Sequence, residues 1–527
     1  MRIAAALLLL PALLPAADPN YPVPRFTDPG RVAKLQSVFP KMDDTFRKLA
    51  KDRGMPGLVW GVVIDGKLAH TGATGVQDVD SKTPVTKTTA FRIASMTKSF
   101  TVLAILKLRD EGKLSLEDPI SKWIPEFANM AMPTRDTAPI RVRQLLTHGA
   151  GFPEDNPWGD QQLGISDREL NNWLKQGLPF STPPDTTYEY SNYGFGLLGR
   201  IVTQASGMPY EQYLTERILK PLGMTSSTLE PSTVAANARA MGYRRKPDGT
   251  YQEEPSLPHG AFGAMGGLVT TAEDMGRYVA FHLSAWPARD DAESGPVRRS
   301  SVREMNHLWR PANLNVSKDG DKVRGSVDGY GYGLRITSSC DVQHMVGHGG
   351  GLPGFGSYMI WLPEYGVGLF GMSNLTYSGP TAALMETIGH MRETGALQPR
   401  DLPPAPRLVA MRDSIARLWN NWSDDALKRI AAMNLLLDSP AMERRAHVEK
   451  LRQRMGKCAA PDALRAENWL RGRFAMKCEK GTVGVTFTLA PTQPPLIQAL
   501  IFEDVTDYRP GRRREQSTSL ANARCPE

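Results

Sequence analysis

The stretch "FRIASMTKSF", residues 91–100, sets a serine at position 95 and a lysine three residues later at position 98. Taken alone, Ser95-Met96-Thr97-Lys98 also fits an ordinary helix start, because serine at an N-cap followed by apolar and basic residues is a common pattern. Ordinary usage of the two residues supplies about one or two such matches in a chain of this length. If the helix begins at or just after Ser95, Lys98 lies one turn on and on the same face, with its amine in reach of the hydroxyl. The helix N-terminus adds free backbone N–H groups and partial positive charge, which favour an oxyanion at that point. Deprotonated, Lys98 is a base; protonated, it lowers the pKa of a neighbouring acid. Either role needs a third group.

Two later stretches offer one. "YEYSNYGFGLLGRIV" (188–202) brings a tyrosine, a serine and an asparagine to the end of a loop that leads into a helix. Tyr190, with an ordinary pKa of about 10, needs a cation such as Lys98 beside it to serve as a base at neutral pH. Asn192 is suited to hold both the lysine amine and a substrate carbonyl; the plainer reading of the pair is a turn plus an N-cap. "VGHGGGLPGFGSY" (346–358) then places His348 ahead of three glycines next to a strand. Glycines there let a ligand approach the backbone closely. His348 is a candidate for substrate binding or proton transfer, with a Gly-rich turn as the alternative.

These three elements, in this order, resemble the serine β-lactamase and penicillin-binding superfamily: S-x-x-K at Ser95–Lys98, Y-x-N at Tyr190–Asn192 and H-G-G at His348-Gly349-Gly350. A related triple, S-x-x-K with S-D-N and K-T-G, marks other branches. The resemblance is strongest to the branch holding class C β-lactamases, family VIII esterases and D-Ala-D-Ala carboxypeptidase-like enzymes. It extends through "LRDEGKLSLEDPISKWIPEF", "IRVRQLLTHGAGF", "LKPLGMTSS" and "GGLVTTAEDM", over roughly residues 40–392. It implies that Ser95 is the acylated nucleophile and that Tyr190 with Lys98 is the general base. Asn192, His348, Gly349 and Gly350 would bind or orient substrate, and the backbone N–H groups of Ser95 and Gly351 would form the oxyanion hole. His348 stands where the penicillin-binding proteins and class C enzymes usually carry lysine. Histidine is near neutral at pH 7 and holds a carboxylate less firmly, which shifts the expectation from β-lactams toward esters, amides or peptides. The esterase pentapeptide G-x-S-x-G is absent, so a nucleophile elbow is not indicated.

The wider chain gives the architecture. "GLVWGVVIDGKLAHTGATGV" (57–76) reads as a hairpin turning at Asp65-Gly66, and residues 96–112 as a helix ending at Gly112. Residues 32–52 carry an amphipathic helical pattern. From about 113 to 340 short helical patterns alternate with Pro- and Gly-rich loops; strands then return at 357–363 and 367–374, followed by a helix-like stretch at 380–394. The expected fold is α/β (α+β): one antiparallel sheet assembled from both ends of the domain, flanked by helices, plus a mainly helical subdomain. "QPRDLPPAP" (398–406) is a proline-dense linker. The expected organisation is a signal peptide at 1–17, a hydrolase domain at 18–397, the linker, and a small α+β module at 407–527.

The N-terminus, one arginine then an apolar run and small residues, reads as a secretory signal cut near Ala17, so a periplasmic or secreted protein is expected. With export, Cys458 and Cys478, 20 residues apart, are candidates for a disulfide; Cys340 and Cys525 are distant, and a free Cys340 is an equal alternative. No Cys/His spacing suits zinc, and no metal or cofactor is expected. The net charge is +8, with "RPGRRRE" (509–515) the densest basic run; lacking interleaved aromatics, it reads as a solvated tail, and no nucleic-acid partner is expected. No integral membrane segment is expected after signal removal. The expected function is an exported serine hydrolase acting on a small-molecule or peptide substrate, peptidoglycan fragments included. A D-Ala-D-Ala carboxypeptidase or weak β-lactamase is the alternative within enzymes. A non-catalytic protein that binds penicillin or cell-wall peptide is the alternative outside them.

Overall fold

"GLVWGVVI" forms strand β1 (Gly57–Ile64) and is buried at every position. A strand covered on both faces shows a continuous apolar run instead of alternation. Asp65 and Gly66 both take positive φ, 50° and 77°, the conformation that a tight two-residue hairpin turn requires. They reverse the chain into β2 (Lys67–Gly75). The computed structural model describes residues 18–506 apart from 320, 321 and 340; the expected signal segment, the 509–515 run, Cys340 and Cys525 lie outside them.

β1 and β2 join six strands from the far end of the domain: β3 (Arg310–Asp319), β4 (Lys322–Tyr330), β5 (Arg335–Ser339), β6 (Met345–Leu352), β7 (Phe355–Leu362) and β8 (Val367–Ser373). The sheet order is β2-β1-β8-β7-β6-β5-β4-β3, antiparallel throughout. The sheet is therefore built from both ends of the domain. β3, β4 and β5 fall in the region expected to hold only helices and loops. Leu314 and Val316 of β3 are 76% and 68% exposed, so its apolar residues do not mark a buried face, and the period-2 signal is lost.

Side chains alternate across β1. Val59 and Val63 pack with Phe100, Leu103 and Tyr278 on one face. Leu58, Trp60, Val62 and Ile64 pack on the other with Phe46, Leu384 and Met391, from helices α1 (Phe39–Arg53) and α5 (Thr381–Glu393). The first face carries α2 (Thr97–Asp110) and α4 (Ala272–Ser284). Helix α2 is buried nearly all round, as a helix without a polar face must be. Between them, α3 (Asn192–Ser206) and shorter helices form the helical region.

The chain divides into two compact units, residues 28–399 and residues 400–506 with 18–27. Residues 18–27 thus group with the second unit and not with residues 28–399: Arg25 and Asp401 exchange backbone hydrogen bonds of 2.9 Å. That unit packs helices over a four-stranded antiparallel meander spanning Arg465–Asp504, around Trp419, Phe474 and Phe487. Its Cys458 and Cys478 form a disulfide, 20 residues apart in sequence. Loop closure of that length stabilises by about 3 kcal/mol. A Cys458→Ala/Cys478→Ala double variant is expected to lower the melting temperature of this unit by several degrees, read by calorimetry on the full chain with and without reductant.

Candidate active site

The serine sits on a strained approach. Ala94 has φ 49°, a conformation costing a non-glycine residue about 1–3 kcal/mol, and such strain gathers at functional positions. Ala94–Met96 then form a 3₁₀ turn that runs into α2. Ser95 does not cap the helix, since neither the turn nor α2 has a side-chain cap bond. Its hydroxyl is instead 3.0 Å from the Lys98 amine. Neighbouring bonds hold the turn: Ile93 N–H donates to Leu268 O at 3.0 Å, and Ser357 Oγ donates to Ile93 O at 2.9 Å.

Lys98 is fully buried. Besides Ser95, its Nζ lies 2.7 Å from Asn192 Oδ1 and 2.9 Å from the Met265 carbonyl. Both of these oxygens can only accept. A neutral amine therefore spends its two N–H groups on them and turns its lone pair to the Ser95 hydroxyl. Burial brings the lysine down to about 7, against the pull of Asp160, Asp155 and Glu154, with Arg335 adding to the decrease. Lys98 thus exists in both forms near neutral pH.

Tyr190 is buried and hydrogen-bonds the Ser95 side chain, with the Lys98 amine 5.0 Å from its ring centre. Burial holds the phenol well above its ordinary value despite that bond. Sequence suggested Tyr190 with Lys98 as the base; burial raises the phenol and brings the amine down, so of the two Lys98 lies nearer neutrality. The cap of α3 is Ser191, whose Oγ accepts from Gly194 N–H at 3.2 Å. With the serine between them serving the helix, Tyr190 and Asn192 are free to face inward. Asp155 secures the same helix end by accepting from the N–H groups of Asn192 at 2.7 Å and Tyr193 at 2.8 Å.

His348, Gly349, Gly350 and Gly351 lie within strand β6 itself, not beside it. Gly350 presses on the backbone ahead of Ser95: a Cβ there would sit 2.1 Å from Ile93 O, so only glycine fits. This contact brings the glycine strand against the turn that carries Ser95, with Gly351 the next residue along the strand. His348 is 2% exposed. Its Nδ1 lies 2.5 Å from Gly349 O, which can only accept, so Nδ1 carries the proton and Nε2 accepts from Tyr330 O–H at 2.8 Å. Burial, then the charges of Arg335 and Lys98, hold it well below its ordinary value. His348 is a neutral, fully engaged group.

Several residues of the site were not singled out from sequence. His148 (φ 53°) accepts from Ser191 N–H at 3.0 Å, and its ring stands 4.3 Å from that of Tyr190. Its stretch "LLTHGAGF" was visible, but nothing in it announced a contact 42 residues downstream. Arg335 of β5 pairs in register with Gly347, and its guanidinium lies 5.8 Å from the centre of the Tyr190 ring. Asp160 is raised to about 6 by burial, opposed by Lys98. Tyr377, packed against Gly351, donates to the Asp160 carboxylate at 3.2 Å. Among the described residues no group of His, Cys, Asp and Glu is arranged to hold a metal, and no helix is long and apolar enough to cross a membrane.

A serine–lysine pair at a helix start, a tyrosine loop and a glycine strand on one antiparallel sheet define the fold of the serine β-lactamases and penicillin-binding proteins. The chain belongs to that family: the family profile described as Beta-lactamase matches residues 42–389. It is 32% identical over 317 residues to Beta-lactamase-like protein 2 of Dictyostelium discoideum, covering 58% of this chain and 55% of that protein. It is 29% identical over 331 residues to Protein flp of Staphylococcus aureus strain MW2, covering 61% of this chain and 60% of that one. The match thus spans little more than half the length of these relatives. In fold it is similar to the octameric penicillin-binding protein homologue of Pyrococcus abyssi, with a TM-score of 0.57 at 22% identity, over 88% of this chain and 95% of that one.

Proposed function

We propose that this protein is an exported serine hydrolase that cleaves esters, amides or peptides through an acyl-enzyme at Ser95. The observation that carries the reading is the environment of Lys98, a buried amine with two obligatory acceptors and the Ser95 hydroxyl as its third neighbour. In the first step neutral Lys98 takes the Ser95 proton as Oγ attacks the carbonyl carbon. The developing oxyanion faces the N–H groups of Ser95 and Gly351. Tyr190, protonated and hydrogen-bonded to Ser95, passes a proton to the leaving oxygen or nitrogen and is replenished from Lys98. Water then attacks the ester with the same groups acting in reverse. Asn192 orients Lys98. His348, neutral and occupied on both nitrogens, is a poor partner for a carboxylate, so an anionic substrate end meets Arg335 instead.

A pH profile tests this. A proton on Lys98 occupies the lone pair the step requires, so kcat/KM for an uncharged ester such as p-nitrophenyl acetate is expected to rise with pH through about 7 and level above it. The Asp160 carboxylate favours protonated Lys98; Asp160→Asn removes that support, lowers the lysine pKa and moves the rising limb to lower pH. No turnover above background anywhere between pH values of about 5 and 9 overturns the proposal.

A further inference from the structure

Beside the Ser95–Lys98 pair the structure holds a second cavity of about 430 Å³, walled by Phe152, Trp158, Trp173 and Tyr193 and by Glu154 and Asp155. The two sites share one strap of chain. Asp155 accepts from the N–H groups of Asn192 and Tyr193, and Asn192 donates to Asn156 Oδ1 at 2.6 Å. Gly159 packs so close to Asn192 that a Cβ there would lie 2.8 Å from it. The walls are aromatic: Trp158 and Trp173 lie 5.3 Å apart between ring centres, and Trp158 remains 48% exposed. Such faces attract a cation.

Carboxylates outnumber the cations around this cavity. Among the described residues none of Glu154, Asp155, Asp160 and Glu189 forms an ion pair with lysine or arginine; of the nearby cations, Arg200 is paired with Glu126, Lys98 is brought down to about 7, and Arg335 lies beside the tyrosines. Asp155 is already committed to the α3 N-terminus. Glu154 is the carboxylate without a cationic partner, its hydrogen bonds going to the backbone N–H, at 3.3 Å, and the side chain of Asn156. Burial, then the neighbouring Asp155 and Glu189, hold it above its ordinary value, the state of an acid short of a counter-cation. Separately, Tyr193 in the wall is only 6% exposed and its hydroxyl has no hydrogen-bond partner. A buried phenol left unpaired is costly and offers an acceptor to an incoming N–H.

We propose that this cavity is a cation-selective subsite, taking a primary amine carried on an aryl or alkyl body. The body packs against the tryptophan pair, and the ammonium meets Glu154 and the Tyr193 hydroxyl. Resting on the hydrolase reading, it makes the preferred substrate one whose apolar portion bears an amine, with Arg335, beside Tyr190, left for an anionic end.

Calorimetric titration of the full chain with 4-phenylbutylamine and its neutral analogue 4-phenylbutan-1-ol tests the subsite without relying on turnover. At neutral pH the amine is a cation, and it is expected to bind at least about tenfold more tightly than the alcohol. Glu154→Gln should bring the two within about twofold, and Glu154→Lys should reverse the preference. Trp173→Ala should weaken both. The proposal is overturned if the alcohol binds as tightly as the amine, or if the preference survives both substitutions at Glu154. Measuring p-nitrophenyl acetate turnover by the same wild-type preparation separates the two readings. An amine preference in a protein that hydrolyses no ester removes the hydrolase and keeps the subsite; ester turnover without the preference does the opposite.

Discussion

Ser95→Ala is expected to lower kcat for p-nitrophenyl acetate by about four to six orders of magnitude, to the level of the buffer. The scale follows from serine hydrolases in which nucleophile and base act as one unit, so that losing the nucleophile alone removes nearly everything the group provides. What survives is whatever the oxyanion donors and binding supply without a nucleophile. The same substitution should abolish the mass gain that wild type shows with a fluorophosphonate or a slow β-lactam. Folding should be unaffected: Ser95 makes no cap bond, and removing its hydroxyl leaves Lys98 with both of its carbonyl acceptors. A full mass gain on Ser95→Ala would place the nucleophile elsewhere. Failure of wild type to react with any such probe would favour a protein that only binds its ligand.

Lys98→Met is the second. Methionine is close in length, is at home in an apolar interior and has no lone pair basic enough for the task. The expected loss is about 10³–10⁴-fold in kcat, the range of a general base, together with disappearance of the rising limb near pH 7. Lys98→Arg should fail equally, because guanidinium cannot deprotonate here. A purely structural lysine would be rescued by arginine or reveal itself in melting temperature. The catalytic role predicts the opposite: activity gone in both variants while Lys98→Met melts within a few degrees of wild type. Its buried amine is no longer desolvated, which offsets the donor lost to Asn192 and Met265, about 1–3 kcal/mol.

Much of this site was legible because its chemistry is local. Lys98 lies three positions after Ser95, and one helical turn carries the amine to within 3.0 Å of the hydroxyl. The hairpin at 57–75 was readable for the same reason: the turn pair Asp65-Gly66 and a continuous apolar run are contained in one short window. The disulfide partners, too, were the pair close in sequence. Strands β3 to β5 were missed because exposed apolar residues and charged neighbours blur their alternation.

What sequence alone determined, then, is the family pattern of Ser95, Lys98, Tyr190 and Asn192 and the sheet built from both ends of the domain, since motifs and periodicity are written over a few residues. Tertiary structure decided how those groups are charged. Desolvation depends on neighbours that arrive from everywhere in the chain: Met265 and Asn192 around Lys98, His148 against Tyr190, Tyr330 on His348, Arg335 across the sheet. Their combined burial holds Tyr190 above its ordinary value and brings Lys98 down to about 7. An amine in water is a cation at neutral pH; the same amine enclosed by two carbonyl oxygens and a hydroxyl is present in both forms, and only the folded chain encloses it.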